Sequence, residues 1–290
     1  MFNGALTAIV TPFRDGEVDQ RALRELVEFQ IQGGIDGLVP CGSTGESATL
    51  THSEHEQVIK IVIEQTRRRV PVIAGTGSNS TAEAIRLTAS ARAAGADGAL
   101  MISPYYNKPT QDGIFRHYKT IAAAVDLPII VYNIPGRTAS HIAPETFARL
   151  CEVRNIVGIK EASGSMDQVS DIRRLCGDRL TILSGDDALT LPMMALGGKG
   201  VVATVGNLMP RETHELAAAA LAGDFARARE LHYLMLPLVR AIFVETNPIP
   251  VKQALAFMGK CSPEMRMPLT PMSPGPAEKL HALMKEMRLV

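Results

Sequence analysis

The chain has 290 residues, with 30 Lys and Arg against 30 Asp and Glu, so its formal net charge at pH 7 is zero. This balance argues against a protein that coats nucleic acid through clustered cations, and it leaves no polybasic patch for a membrane surface. Hydrophobic residues make up 46% and charged residues 21%, a composition typical of a folded globular protein. At this length we expect one large α/β domain, alone or with an appendage.

The cysteines and the N-terminus indicate the compartment. Cys41, Cys151, Cys176 and Cys261 are far apart and form no CxxC pair, which predicts free thiols in a reducing compartment. The N-terminus lacks the basic segment and long apolar run of a signal peptide, and no stretch approaches the ~20 apolar residues of a membrane span. We therefore expect a cytoplasmic protein that binds neither membranes nor nucleic acid.

Short apolar runs alternate with helical patterns along the first 223 residues. The runs are continuous rather than alternating, as in parallel strands that are covered on both faces. Eight strands are predicted, over residues 6–10, 37–40, 71–75, 98–103, 128–133, 155–160, 180–185 and 200–205. Eight helices follow them, over residues 21–32, 53–67, 81–93, 113–125, 144–151, 166–175, 188–196 and 212–221.

Eight such units predict an α/β fold, a closed (β/α)8 TIM barrel in residues 1–223. An open, doubly wound sheet is the alternative. Strand signals stop after Gly223, and helices are predicted over residues 224–241, 248–258 and 277–287. A Pro-rich loop lies between Pro263 and Pro276, because proline disfavours both helix and central strand. We interpret residues 224–290 as a helical C-terminal domain.

In a (β/α)8 barrel the active site lies at the carboxyl ends of the strands. Lys160 ends an apolar strand, so we expect its stem to be enclosed and its amine to face the barrel mouth. Burial disfavours the ammonium form, which gives a nucleophilic neutral amine suited to Schiff-base chemistry with a carbonyl substrate. The alternative is a structural salt bridge, for example with Glu161.

Three further features lie at the same predicted barrel end. Tyr132 ends the preceding strand and is a candidate proton shuttle, with a core tyrosine as the alternative. The Gly42–Gly45 turn offers backbone N–H groups and two hydroxyls to a small carboxylate, unless it is a simple loop. Arg137, in the loop after the Tyr132 strand, is suited to a second carboxylate, although a surface arginine is the default.

Other motifs are weak. GTGSNS, at Gly75, lacks the third glycine of a dinucleotide fingerprint, and GGKG, at Gly197, lacks the Ser or Thr of a P-loop. His52 and His55 have no further ligand at a known metal-binding spacing. These motifs therefore favour neither a nucleotide-binding site nor a metal site.

Taken together, GSTGES, SPYYNKP, YNIPGRT and GIKEAS, in this order, resemble the dihydrodipicolinate synthase (4-hydroxy-tetrahydrodipicolinate synthase) family of pyruvate-dependent class I aldolases and lyases. The resemblance covers essentially the whole chain. It implies a homotetramer of (β/α)8 barrels without metal or cofactor. It also implies a lyase that condenses pyruvate with L-aspartate 4-semialdehyde in diaminopimelate and lysine biosynthesis.

The resemblance also implies residue roles. Lys160 forms the imine with pyruvate, and Tyr132, Thr44 and Tyr106 relay protons, with Tyr106 reaching in from a neighbouring subunit. Ser43 and Thr44 hold the pyruvate carboxylate, and Arg137 holds the carboxylate of the aldehyde. Gly185 and Val202 contribute to the substrate site. Ser43 departs from the usual threonine of the family but keeps the hydroxyl.

Many bacterial members of this family are inhibited by L-lysine at a dimer interface, which implies an effector site here. Its matching positions are Ser47, Ala48, His52, His55, Asn79, Glu83 and Tyr105. Two other functions stay open at this stage. One is a different imine-forming lyase, such as an N-acetylneuraminate lyase-like or keto-sugar-acid aldolase. The other is a catalytically silent barrel that binds a metabolite and regulates.

Overall fold

Parallel strands form the centre of the molecule in the computed structural model, which describes residues 2–290. Strand β1 (Gly4–Ala8) is followed by a small antiparallel hairpin of β2 (Phe13–Arg14) and β3 (Glu17–Val18). The remaining strands are β4 (Gly37–Val39), β5 (Ile73–Gly75), β6 (Gly98–Ile102), β7 (Ile129–Asn133), β8 (Ile156–Glu161), β9 (Thr181–Ser184) and β10 (Gly200–Ala203). All eight predicted strands are therefore present, with ends that shift by a few residues.

The sheet closes on itself. Its hydrogen-bonded order is β4-β1-β10-β9-β8-β7-β6-β5, and every pair in it is parallel. The two end strands meet through a parallel bridge between Leu38 and Val72, beside which the Leu38 N–H donates to the Pro71 carbonyl at 3.0 Å. The (β/α)8 prediction is confirmed, and the alternative of an open sheet is wrong.

The helices lie between the strands and after the last of them. They are α1 (Gln20–Gln32), α2 (His52–Thr66), α3 (Thr81–Ala94), α4 (Gln111–Ala124), α5 (Pro135–Thr138), α6 (Pro144–Leu150), α7 (Met166–Cys176), α8 (Thr190–Ala195), α9 (Pro210–Leu221), α10 (Phe225–Ala241), α11 (Ile249–Phe257) and α12 (Pro274–Glu286). The first helical position of α12 is Pro274, whose fixed φ suits a helix start, so this helix begins three residues before the predicted start. The one-turn helix α5 was not predicted, because its four residues carry no periodic pattern.

Apolar side chains fill the interior of the barrel. Leu6, Val39, Ile130, Leu183 and Val202 are members of one buried cluster there. A second layer of apolar residues packs the helices against the outside of the strands. The barrel is therefore a packed core whose chemistry must occur at its rim.

The C-terminal helices share the outer core with the first barrel helices. Leu238, Val251 and Leu280 belong to the same buried cluster as Leu26 of α1 and Val58 of α2. The boundary at residue 223 stays a prediction, although α9 ends just before it and α10 begins just after it. Among the helices of residues 2–290, none combines the length and the apolar character needed to cross a membrane.

Candidate active site

Lys160 and Tyr132 lie side by side at the carboxyl ends of two neighbouring strands. They are register partners between β8 and β7, and both side chains are buried. The Lys160 Nζ lies 4.2 Å from the centroid of the Tyr132 ring. The strand ends that the sequence predicts to be neighbours therefore bring an amine and a phenol to one place.

The buried Lys160 amine is poised for nucleophilic chemistry. Burial lowers its pKa from 10.5 to about 8, an effect that the nearby Asp187 carboxylate partly opposes. Within residues 2–290 no carboxylate lies within 4.0 Å of its Nζ, and Glu161 instead accepts hydrogen bonds from Asn133 Nδ2 and the Ser163 N–H. The alternative of a Lys160–Glu161 salt bridge is therefore wrong.

Gly185 lies directly after β9, and Val202 lies on β10. A methyl group at Gly185 would stand 3.0 Å from the Lys160 Cε, so the lysine stem passes directly over this glycine. Val202 is buried in the interior cluster that also contains Tyr132. The contact with the Lys160 side chain is thus shown for Gly185, and the role of Val202 stays a prediction.

Asp187 is a buried carboxyl group that sequence reasoning did not select. It accepts hydrogen bonds from the N–H groups of Thr204 and Val205, and burial raises its pKa to about 6. The motif SGDD at the end of β9 was the available signal, because it places two carboxylates at the rim of the barrel. Asp187 is the counter-charge that keeps the pKa of Lys160 from falling further.

Two backbone N–H groups of the Gly42–Gly45 turn have no hydrogen-bond partner in the part of the chain that the structure describes. The Gly45 N–H donates to the Gly42 carbonyl and the Glu46 N–H to the Ser43 carbonyl. The N–H groups of Ser43 and Thr44 make no hydrogen bond within residues 2–290. This turn can therefore offer two N–H groups, together with the Ser43 and Thr44 hydroxyls, to an anion.

Arg137 and Thr44 are both held by Asn247, a residue that sequence reasoning missed. Arg137 lies in α5 rather than in the predicted loop, and its Nη2 donates to the Asn247 carbonyl at 2.9 Å. The Asn247 side-chain Nδ2 donates to Thr44 Oγ1, also at 2.9 Å. No local motif marks Asn247, because it comes from the segment between α10 and α11.

A cavity of about 520 Å³ opens beside these groups. Ser43, Tyr132 and Arg137 line it on the catalytic side. Six of the seven predicted effector positions line the same cavity, namely Ser47, Ala48, His52, His55, Glu83 and Tyr105. Tyr132, Ser43 and Arg137 therefore share this cavity with the effector candidates, whereas Lys160 and Thr44 are not among its lining residues.

Two hydrogen-bonded pairs lie among the effector candidates, His52 with Glu83 and Asn79 with Tyr105. Glu83 pairs with His52 Nε2 at 2.8 Å and accepts a bond from the Ser78 hydroxyl, and these bonds lower the pKa of the Glu83 carboxyl. The Asn79 Nδ2 donates to the Tyr105 carbonyl at 3.2 Å. Glu83 thus presents an ionised carboxylate beside the His52 imidazole.

Tyr106 is exposed, whereas the other catalytic candidates, Lys160, Tyr132 and Thr44, are buried. Tyr106 is 88% exposed, its backbone φ is +71°, and its N–H donates to the Thr138 carbonyl.

Within residues 2–290 no group of three or more His, Cys, Asp or Glu side chains is arranged to hold a metal ion.

The fold and this site define a class of protein, a (β/α)8-barrel enzyme with a buried strand-end lysine. A model of the dihydrodipicolinate synthetase family matches residues 1–287, and the chain belongs to that family. A 4-hydroxy-tetrahydrodipicolinate synthase of Geobacter sulfurreducens is 59% identical, and the alignment covers 100% of both chains. The predictions of the family, of a lyase enzyme and of its synthase activity are confirmed, and the alternative of a sugar-acid lyase is not supported.

Solved structures agree with this assignment. The dihydrodipicolinate synthase of Aquifex aeolicus matches with a TM-score of 0.98 at 52% identity over 99% of each chain. The chloride-inhibited dihydrodipicolinate synthase of Acinetobacter baumannii, complexed with pyruvate, matches with a TM-score of 0.98 at 43% identity over 100% of each chain. The enzyme of Cyanidioschyzon merolae with lysine bound matches with a TM-score of 0.96 at 41% identity. The match covers 100% of this chain and 99% of that one.

Proposed function

We propose that this chain condenses pyruvate with L-aspartate 4-semialdehyde through an imine at Lys160, as a step of diaminopimelate and lysine biosynthesis. The observation that carries the proposal is the buried Lys160 amine, with a pKa of about 8, in contact with the Tyr132 ring. The related enzyme that is complexed with pyruvate supports the choice of the first substrate.

The reaction divides into three bond-forming stages, namely imine formation, carbon–carbon bond formation and ring closure. The neutral Lys160 amine attacks the ketone carbon of pyruvate, and loss of water gives the imine. Removal of a proton from the pyruvate methyl group gives an enamine, whose carbon attacks the aldehyde carbon of the semialdehyde. The alkoxide that forms takes up a proton. The amine of the semialdehyde then attacks the imine carbon, expels Lys160 and closes the ring.

The neighbouring groups fit the proton transfers and the two carboxylates. The phenol of Tyr132 and the hydroxyl of Thr44 are the proton carriers, and we assign Tyr106 to the same relay from a neighbouring subunit. The free N–H groups and hydroxyls of Ser43 and Thr44 suit the pyruvate carboxylate. The Arg137 guanidinium suits the carboxylate of the aldehyde. Gly185 and Val202 form the wall of the pyruvate site.

The regulatory part of the proposal is an L-lysine effector that binds at Glu83 and the polar residues near it. An ionised Glu83 beside His52 suits the ammonium of an amino acid, and Asn79 and Tyr105 offer further polar contacts. The related enzyme with lysine bound supports this choice of ligand. We further propose a homotetramer in the cytoplasm, built so that the exposed Tyr106 side chain enters the site of another subunit.

Borohydride trapping tests the catalytic proposal. The protein is incubated with pyruvate, reduced and digested, and the adduct is located by mass spectrometry. We expect a pyruvyl adduct on Lys160 alone. A folded protein that turns over both substrates but gives no adduct on Lys160 would refute the imine mechanism. A folded protein that gives neither adduct nor turnover would instead support a silent, metabolite-binding barrel.

A further inference from the structure

A fully buried ion pair joins Glu46, the residue directly after the Gly42–Gly45 turn, to Lys252 in helix α11. The Lys252 Nζ lies 2.6 Å from Glu46 Oε1, and neither side chain is exposed to solvent. The same Nζ lies 4.1 Å from the centroid of the Phe13 ring. A buried pair contributes little net stability, because the cost of desolvating both charges offsets their attraction. Its location in the fold is therefore more informative than its strength.

The backbone at Glu46 is held in an uncommon conformation. Its φ is +54°, in the left-handed region that residues other than glycine rarely adopt. The Glu46 N–H donates to the Ser43 carbonyl, and the Glu46 carbonyl accepts from the Thr49 N–H. Such a conformation persists only where surrounding contacts determine it.

The contacts that hold the Glu46 side chain come from the C-terminal segment. Lys252 binds one carboxylate oxygen, and the Arg266 N–H donates to the other at 3.3 Å. Asn247, five residues before Lys252, donates to the Thr44 hydroxyl. The segment that follows the barrel therefore contacts the turn at three points, on both sides of Gly45.

We propose that Glu46 and Lys252 are positioning residues for the pyruvate carboxylate. They fix the backbone directly after the turn, so that the Ser43 and Thr44 N–H groups converge on one anion. This inference rests on the proposed function of the turn. A displacement of about 1 Å moves hydrogen bonds out of their favourable range, so loss of the pair weakens pyruvate binding without removing any atom that touches pyruvate.

The double variant Glu46→Gln/Lys252→Met tests the proposal, because it removes both charges and leaves neither one unpaired. Pyruvate is varied in borohydride trapping at Lys160 and in steady-state kinetics. We expect the pyruvate KM and the half-saturation of trapping to rise roughly tenfold, as for one lost charge-assisted hydrogen bond. The kcat at saturating pyruvate and the KM for the semialdehyde stay near the parent values. A merely structural pair would not produce this split.

The matched control is Asp126→Asn/Arg154→Met. This pair, at 2.8 Å, is exposed and lies just before β7 and β8, at the barrel end opposite the site. We expect it to keep the parental dependence on pyruvate. Glu46→Asp is the second test variant, because it keeps both charges and shortens the connection by one methylene. If the double variant does not fold, Glu46→Asp tests the positioning role in its place. We expect Glu46→Asp to raise the pyruvate KM.

A parental half-saturation for pyruvate in the folded double variant, or in Glu46→Asp, overturns the inference and leaves the pair as a structural connection. The unmodified protein separates this outcome from failure of the proposed function. If it traps pyruvate on Lys160, only the positioning role is at issue. If it gives no adduct, the proposed function itself is refuted, and this inference with it.

Discussion

The Lys160 Nζ lies 4.2 Å from the centroid of the Tyr132 ring, because the two residues are register partners on adjacent parallel strands. The Tyr132 hydroxyl makes no hydrogen bond within residues 2–290. The ring therefore packs against the amine, whereas the hydroxyl is free to exchange protons with a substrate.

Tyr132→Phe should lower kcat by about 100-fold or more, the usual contribution of a positioned proton-transfer group, with the unfolding temperature little changed. Steady-state kinetics and calorimetry measure the two effects. Tyr118→Phe is the control, because its buried hydroxyl donates to the Met101 carbonyl outside the site. We expect it to lose about 1 kcal/mol of stability and to keep the parental kcat. A parental kcat in Tyr132→Phe would exclude the phenol from the reaction.

Lys160→Met should increase the free energy of unfolding at pH 7. The Lys160 pKa is about 8 when folded and 10.5 in the absence of burial, so both states are protonated below pH 8 and the full cost of burying the ammonium is present. Between pH 8 and 10.5 the unfolded chain binds more protons, so the stability of the parent rises with pH and the cost disappears. At ~1.4 kcal/mol per pKa unit, the advantage of the variant at pH 7 is on the order of 3 kcal/mol.

Denaturant unfolding from pH 7 to 10.5 measures this difference. Lys285→Met, on the exposed side of α12, serves as the control for removal of a lysine side chain. An advantage of Lys160→Met that stays constant over this pH range would mean that the amine is not held in a desolvated place.

Gly185→Ala should impair imine formation. The new methyl group would lie 2.7 Å from the Ala162 Cβ and 3.0 Å from the Lys160 Cε, so the lysine side chain must shift. A shift of about 1 Å in a reacting group costs roughly 100-fold, which the rate of borohydride trapping would report. At Gly275 an added methyl group has no atom within 4 Å, so Gly275→Ala should form the trapped pyruvate adduct at the parental rate. Equal rates in the two variants would contradict the packing of Lys160 over Gly185.

Arg137→Ala should reduce kcat/KM for the semialdehyde by roughly 10- to 100-fold, the value of a charge-assisted hydrogen bond. Trapping of pyruvate alone should change little, because the guanidinium is assigned to the second substrate. Arg137→Lys should recover part of the loss, since it restores the charge but not the planar, bidentate fork. A variant that loses pyruvate trapping but binds the aldehyde normally would reverse the assignment.

Glu83→Gln should weaken L-lysine binding by roughly tenfold, because it removes the carboxylate that pairs with the ligand ammonium. Isothermal titration calorimetry measures the affinity. Glu56→Gln, whose carboxylate pairs with Arg86 on the surface, is the matched control and should bind as the parent does. Absence of lysine binding to the parent at millimolar concentration would remove the effector proposal.

Sequence reasoning found the barrel because each strand is a continuous apolar run and each helix a periodic one, and both patterns are local. It placed Lys160 and Tyr132 together because residues at the carboxyl ends of adjacent parallel strands must meet. Arg137 was identified from its position after the Tyr132 strand and Gly185 from the family resemblance. The structure adds the contact of Gly185 with the Lys160 side chain and the helical turn that contains Arg137.

Tertiary structure alone decided which distant residues support the site. Asn247 contacts Thr44 across 203 positions of sequence, and Lys252 contacts Glu46 across 206. Neither residue stands in a motif, and a lysine in an amphipathic helix is ordinarily a solvated one. Only the packing of α11 against the turn after β4 turns Lys252 into a buried partner. Local sequence therefore determined the elements and the reactive amine, whereas long-range packing determined the side chains that hold the turn.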